Sequence, residues 1–84
     1  MSGEPLRLLS RPECGLCEDM ARDLRRLKIA FEEVDVDQDE ALQRVYGEVI
    51  PVLMMGEREI ARAPQTERTL RQALSRAGLL GALT

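Results

Sequence analysis

The feature that most constrains the fold of this chain is a pair of cysteines, Cys14 and Cys17, at the junction between two hydrophobic patterns. The residues before the pair, Leu6 to Ser10, form a short apolar run that is typical of a β-strand. The residues after it carry apolar side chains at the spacing of an amphipathic helix: Leu16, Met20, Leu24 and Leu27. The cysteines are therefore predicted in a connection from strand to helix, with the helix beginning at or just after Cys14.

Size and composition predict one folded domain over residues 1–84, because a chain of this length supports a single core. The chain is 44% hydrophobic and 32% charged, as globular proteins are. Its formal net charge of −3 favours neither a nucleic-acid partner nor an anionic membrane surface. No apolar run approaches the roughly 18 residues of a membrane span, and Met1 to Pro5 lack the basic start of a signal peptide. The absence of both signals predicts a cytoplasmic protein, and we expect it to be a monomer.

The middle of the chain predicts a second strand, a short helix and a third strand. Ile29 to Val36 alternates apolar and acidic residues, as a strand does. Asp37 and Glu40 resemble a capping box that opens a short helix, which Gly47 ends. Val49 to Met55 is a continuous apolar run suited to a buried strand.

The C-terminal part predicts a β-hairpin and a last helix. Gly56-Glu57 is suited to a two-residue turn, and Arg58 to Ala61 to the returning strand. A helix should follow Thr66 and end before Gly78, a glycine suited to the position just after a helix. The order β-α-β-α-β-β-α predicts one sheet with helices packed against it, the first β-α-β unit being a right-handed crossover.

Three features together resemble the glutaredoxin branch of the thioredoxin fold. They are the Cys-x-x-Cys that opens the first helix, the Val49-Ile50-Pro51 segment at the head of an apolar strand, and the Met55-Gly56-Glu57 hairpin. The resemblance extends from Leu6 to Ala77. It implies an α/β thioredoxin-like fold, with a four-stranded mixed sheet flanked by three helices.

The resemblance also implies the site residues. Cys14 matches the nucleophilic cysteine of glutaredoxins, and Cys17 matches the resolving cysteine. Pro51 matches a proline that follows a cis peptide bond in this family, and Ile50 and Pro51 would bind the substrate. Arg11 stands where glutaredoxins commonly carry a lysine that faces the glutathione carboxylate.

The chain departs from the glutaredoxin pattern in three places. Val49 and Ile50 precede the proline, where the family often has threonine and valine. Gly15 and Leu16 stand between the cysteines, where glutaredoxins usually have proline and tyrosine. The segment from Ala61 to Thr66 lacks the glycines and the aspartate that hold the other end of glutathione in the family. The reductant of this chain is therefore left open between glutathione and a protein.

The position of Cys14 favours thiolate chemistry. Free N–H groups and the helix dipole at a helix N-terminus stabilise an anion, which lowers the pKa of a cysteine there. Arg11 would act in the same direction, whereas Glu13, Glu18 and Asp19 would oppose it. We therefore expect a moderate lowering of the pKa of Cys14.

These patterns predict a small thiol-disulfide oxidoreductase that acts through a dithiol mechanism in electron transport and cell redox homeostasis. Its partner would be a disulfide-containing protein or glutathione, with no required cofactor and no metal ligands. The alternative is a dimeric iron–sulfur cluster carrier or assembly protein that uses Cys14, because some glutaredoxins with glycine after the first cysteine do this. A third hypothesis is an interaction module with an idle cysteine pair.

Overall fold

The computed structural model describes residues 5–80. Its four strands are β1 (Leu6–Ser10), β2 (Glu32–Asp35), β3 (Val52–Met55) and β4 (Arg58–Arg62). Its three α-helices are α1 (Gly15–Arg26), α2 (Glu40–Tyr46) and α3 (Glu67–Arg76), and a 3₁₀ turn (Val36–Gln38) lies between β2 and α2. The predicted order β-α-β-α-β-β-α is confirmed.

The four strands form one mixed sheet in the order β2-β1-β3-β4. The β1–β2 pair is parallel, and the other two pairs are antiparallel. Leu9 of β1 lies opposite Val34 on one side and Val52 on the other. The last residues of β1, β2 and β4 and the first residue of β3 therefore lie along the same edge of the sheet, the edge at which the strands end and not a side formed by one strand.

Helices cover both faces of the sheet. Side chains of α1 and α3 pack on one face against residues of β1 and β3. The helices and strands together contribute five fully buried leucines to this face: Leu8, Leu24, Leu53, Leu70 and Leu74. The other face is smaller and centres on Leu9, Val36, Val52 and Met54, with Leu42 and Tyr46 of α2 against it. Full burial stabilises the fold by about 1.5–3 kcal/mol for each large aliphatic side chain. Aliphatic side chains and methionines make up most of this core.

The start of β2 differs from the prediction, which began the strand at Ile29. In the structure Lys28 has a φ of 61°, and the N–H of Ile29 donates to the carbonyl of Leu24 at 3.0 Å. These are features of a Schellman motif, in which the residues after a helix fold back on its last turn. Ile29 therefore belongs to the end of α1, and the strand begins at Glu32.

The predicted capping box at Asp37 and Glu40 is wrong. The N-cap of α2 is Asp39, whose carboxylate accepts a hydrogen bond from the N–H of Leu42 at 3.1 Å. The carboxylate of Asp37 is occupied elsewhere, because the side chains of Arg11 and Gln43 donate to it. The third strand is also shorter than predicted and begins at Val52, since the N–H of Val49 bonds to Tyr46.

The glycine predictions are confirmed. Gly56 has a φ of 62° in the turn between β3 and β4, and Gly78 has a φ of 77° just after α3. The N–H of Gly78 donates to Ser75 at 3.0 Å and the N–H of Leu79 donates to Leu74 at 2.9 Å, which completes a second Schellman motif. Within residues 5–80, no helix has the length and apolar character needed to cross a bilayer.

Candidate functional site

The cysteine loop lies at the edge of the sheet where β1 ends. The register places Ser10, the last residue of β1, opposite Asp35, the last residue of β2. Val52, which follows Pro51, lies opposite Leu9 and Arg62. The topology therefore brings the cysteine loop and Pro51 to the same edge, although 36 positions separate Cys14 from Ile50 in the sequence.

Cys14 is the N-cap residue of α1, as the sequence predicted for the start of this helix. Its backbone is extended, with φ −109° and ψ 106°. Its Sγ accepts a hydrogen bond from the N–H of Cys17 at 3.2 Å, and its carbonyl accepts one from Glu18 at 3.0 Å. An N–H directed at the sulfur and the positive end of the helix dipole both favour the thiolate over the thiol.

The two cysteines differ in exposure. They form a disulfide with a Cα–Cα distance of 5.2 Å, within the usual range. Cys17 points into the core with Met20 and Ala21 and is only 3% exposed, whereas Cys14 is half-buried. Leu16, between them, is 55% exposed. A partner approaching this edge therefore reaches the sulfur of Cys14 more easily than that of Cys17.

Pro51 is buried and is the last residue of the loop that leads into β3. The Ile50–Pro51 peptide bond is cis, the isomer that the resemblance implies, and the Ala63–Pro64 bond is also cis. The N–H of Ala63 donates to the carbonyl of Pro51 at 3.2 Å. Within residues 5–80, neither backbone polar group of Ile50 takes part in the loop hydrogen bonds. The substrate-binding role of Ile50 and Pro51 stays a prediction.

The guanidinium of Arg11 is bound to a carboxylate of the chain itself. Its Nε lies 3.1 Å from one oxygen of Asp37 and its Nη2 lies 3.0 Å from the other, a bidentate pair. Gln43 donates to the same carboxylate at 3.2 Å. The hydrogen bond to Asp37 is the main cause of a raised pKa of Arg11. The binding of a substrate carboxylate by Arg11 stays a prediction, and such a ligand would have to compete with Asp37.

A cleft of about 300 Å³ opens beside the buried cysteine. It lies between the first turn of α1 and the end of β2. Its lining residues are Ser10, Arg11, Pro12, Glu13, Cys17, Glu18, Glu33 and Asp35. Sequence reasoning noted Glu13 and Glu18 beside the cysteines but missed Ser10, Glu33 and Asp35. The strand register is the only signal that joins them, and it depends on the fold.

Comparisons with known proteins agree with the fold. The family model described as "Glutaredoxin-like domain (DUF836)" matches residues 5–75. The X-ray structure of Northeast Structural Genomics target protein XcR50 from X. campestris is 34% identical with a TM-score of 0.76, over 84% of this chain and 96% of that one. The solution NMR structure of protein Ne2328 from Nitrosomonas europaea is 27% identical with a TM-score of 0.69, over 86% of this chain and 92% of that one.

A third similar structure supports the fold alone. It is a crystal structure of the thioredoxin-like protein BC3987, 23% identical with a TM-score of 0.62, over 83% of this chain and 94% of that one. No curated protein matches the chain. The mixed four-stranded sheet with three helices is thus a thioredoxin-like fold, and its close cysteine pair is consistent with redox activity. Since the family model covers most of the sequence, the chain belongs to the glutaredoxin-like domain family.

Proposed function

We propose that the protein is a thiol-disulfide oxidoreductase with a dithiol mechanism, in which Cys14 attacks and Cys17 resolves. The observation that carries the proposal is the asymmetry of the pair. The half-buried Cys14 sits on the N-cap with an N–H directed at its sulfur, and Cys17 lies buried one turn behind it. An accessible thiolate followed by a protected second thiol is the arrangement that two-step exchange needs.

In the first step the Cys14 thiolate attacks one sulfur of the substrate disulfide. The substrate S–S bond breaks, a mixed disulfide forms on Cys14, and the departing substrate sulfur leaves as a thiolate that takes a proton. In the second step the Cys17 thiolate attacks the Cys14 sulfur and releases the other substrate thiolate. Two electrons thereby pass to the substrate, and the Cys14–Cys17 disulfide remains until a reduced dithiol or two molecules of glutathione reduce it.

A lowered pKa of Cys14 would affect its role as a leaving group in the second step more than its role as the nucleophile in the first. A free cysteine with a pKa of about 8.5 is only about 3% ionised at pH 7. Lowering the pKa by about two units raises the thiolate fraction about 25-fold, while intrinsic nucleophilicity falls about 10-fold. The net gain in attack is therefore only a few-fold. The larger effect is that Cys14 becomes a good leaving group, so Cys17 resolves the mixed disulfide quickly.

Two features at the same edge of the sheet as the cysteines suit an extended polypeptide substrate. The backbone groups of Ile50 are not used by the loop hydrogen bonds of the described chain, so they are available to pair with a substrate backbone. The exposed Leu16 provides an apolar contact directly between the two cysteines. These features favour a disulfide-containing protein as the substrate.

The reductant is the second part of the proposal. Arg11 is engaged by Asp37, and the first turn of α3 is closed by a capping box between Thr66 and Thr69. Both arrangements leave fewer free groups for the two carboxylate ends of glutathione. A reduced protein dithiol is accordingly the proposed reductant, in the reducing environment of the cytoplasm, with the protein acting as a monomer and requiring no cofactor.

The test is a pair of matched cysteine variants incubated with a disulfide-containing protein substrate. Cys17→Ser should accumulate a mixed disulfide through Cys14, visible by mass spectrometry and released by a reducing agent. Cys14→Ser should accumulate none and should lose disulfide reductase activity. Full activity in Cys14→Ser would contradict the mechanism. Visible absorbance after anaerobic purification would instead support the alternative of a dimeric iron–sulfur cluster carrier.

A further inference from the structure

We infer that the cleft beside Cys17 binds a cationic side chain of the substrate protein, so that the protein prefers disulfides with lysine or arginine nearby. The inference rests on the proposed disulfide exchange and names its substrate class. Three features of the cleft support it: its position beside the disulfide, its negative charge, and a hydroxyl without a hydrogen-bond partner. Together they suit a protonated side chain better than a metal ion.

The cleft adjoins the reactive disulfide through the fold itself. In the parallel β1–β2 pair, Glu33 lies opposite Leu8 and Asp35 lies opposite Ser10. Paired residues share a face of the sheet, and this face is the one that α1 covers. Cys17 and Glu18 of α1 also line the cleft. At about 300 Å³, the cleft offers the volume of about ten water molecules, enough to admit a long side chain from a bound partner.

The lining is strongly negative. It holds four carboxylates and one guanidinium, a formal charge of −3 that equals the net charge of the whole chain. The guanidinium, on Arg11, is held by Asp37. Among residues 5–80, Glu13 and Glu18 form no ion pair. Glu33 contacts Arg25 at 3.8 Å, where both side chains are more than half exposed and the pair is well screened.

Ser10 provides independent evidence that the cleft accepts a hydrogen-bond donor. The residue is only 8% exposed, and its hydroxyl forms none of the side-chain hydrogen bonds found within residues 5–80. The same part of the chain has no fully buried side-chain oxygen or nitrogen without a partner, so this hydroxyl must reach solvent. Because Ser10 is one of the residues that line the cleft, we assign the exposed part of its hydroxyl to the cleft. An unpaired, nearly buried hydroxyl among carboxylates is suited to accept a hydrogen bond from an ammonium or guanidinium group.

A protonated side chain fits these groups better than a metal ion. Within the described residues, no three His, Cys, Asp or Glu side chains converge closely enough to hold a metal. An ammonium or guanidinium group needs only hydrogen-bond acceptors and a negative potential, and a flexible stem delivers it. Glutathione disulfide, with its net negative charge, would be repelled by the same potential.

The experiment compares two peptides that each contain one disulfide and differ only in two residues beside one cysteine, lysines in one and glutamates in the other. The fully reduced protein should reduce the lysine peptide about tenfold faster at low salt, a gain typical of electrostatic steering. The ratio should fall several-fold at 0.5 M salt, because screening shortens the reach of the charges.

Three cleft variants and one control locate the effect. Glu18→Gln and Asp35→Asn should each reduce the ratio several-fold, and Ser10→Ala should slow the lysine peptide about two- to threefold without slowing the glutamate peptide. Glu57→Gln is the matched control, because it removes one charge at the hairpin on the opposite edge of the sheet. It should leave the ratio nearly unchanged. Equal rates for the two peptides, or equal effects of Glu57→Gln and Glu18→Gln, would overturn the inference.

A binding measurement keeps the inference separate from the catalytic proposal. Cysteine-free versions of both peptides are titrated into the oxidised protein and followed by NMR. The lysine peptide should shift the amide signals of Ser10, Glu18 and Asp35, and the glutamate peptide should not. If neither disulfide peptide is reduced but these shifts appear, the oxidoreductase proposal fails and the cleft remains a cation site. If the shifts are absent, the cation site is refuted.

Discussion

Replacing Glu13 with glycine should stabilise the protein and lower the pKa of Cys14, through two separable effects. Glu13 immediately precedes Cys14 and has a φ of 62°, in the left-handed region. A residue other than glycine costs about 1–2 kcal/mol in this conformation. Glycine in turn lowers the free energy of unfolding by about 0.5–1 kcal/mol, because it has more conformational freedom to lose when the chain folds. The balance predicts that E13G raises the free energy of unfolding by about 0.5–1 kcal/mol.

Glutamine at the same position separates the backbone effect from the charge effect. E13Q removes the same negative charge but keeps a Cβ atom in the left-handed conformation. Thermal unfolding of the oxidised protein should place the midpoint of E13G about 2–8 °C above that of E13Q, since 1 kcal/mol corresponds to about 4–8 °C in a domain of this size. Alkylation of the reduced proteins by iodoacetamide should show a lowered pKa of Cys14 in both variants, because each removes a like charge beside the thiolate.

The two readouts can fail independently. A midpoint for E13G at or below that of E13Q would refute the argument from backbone conformation. A pKa of Cys14 that is unchanged in E13Q would refute the argument that the carboxylate opposes the thiolate.

Two further substitutions test the fold around the site. Lys28 also has a left-handed φ, at the end of α1. In urea denaturation K28G should therefore be about 1 kcal/mol more stable than its matched control K28A. A K28G less stable than K28A would exclude the Schellman geometry. Glu59 accepts two hydrogen bonds from Arg62 at 2.7 Å, which hold the pKa of Glu59 below its usual value of 4.5. The loss of stability caused by E59Q should therefore be greatest above pH 4.5 and should disappear as the pH falls through the folded pKa of Glu59. A loss of stability that persists at pH 2 would contradict this.

The parts of the fold that sequence patterns predicted are those set by local chemistry. The apolar spacing after Cys17 specifies one face of a helix, and the start of that helix at the cysteines follows from the pattern alone. Gly56 and Gly78 marked a turn and a helix end because each needs a left-handed φ that other residues rarely adopt. In each case the signal lies within a few residues of the structure that it predicts.

The parts that sequence patterns missed depend on contacts between distant residues. The local pattern predicted that Asp37 opens a helix, but Arg11, 26 residues earlier, binds its carboxylate, and Asp39 caps α2 instead. The end of α1 was missed for a related reason, since Lys28 adopts a conformation that favours glycine and gave no sequence signal. Local pattern cannot reveal such pairs, because the fold determines which side chains meet.

The candidate site divides in the same way. Cys14 and Cys17 were found from their spacing and position, and the resemblance pointed to Pro51. The acidic cleft was not found, because Ser10 and Asp35 become neighbours only through the parallel register of β1 and β2. The nearly buried, unpaired hydroxyl of Ser10 is likewise visible only once burial and hydrogen bonding are known.

The most direct test of the central claim is the pKa of Cys14 in the Cys17→Ser variant, which has a single cysteine. The hydrogen bond to the Cys14 sulfur comes from the backbone N–H of residue 17, so it survives this substitution. The rate of alkylation by iodoacetamide as a function of pH should give a pKa below the value of about 8.5 for a free cysteine, and the same variant unfolded in urea should return to that value. A folded pKa at or above about 8.5 would contradict the account, because Cys14 would then have no activation at the helix N-terminus.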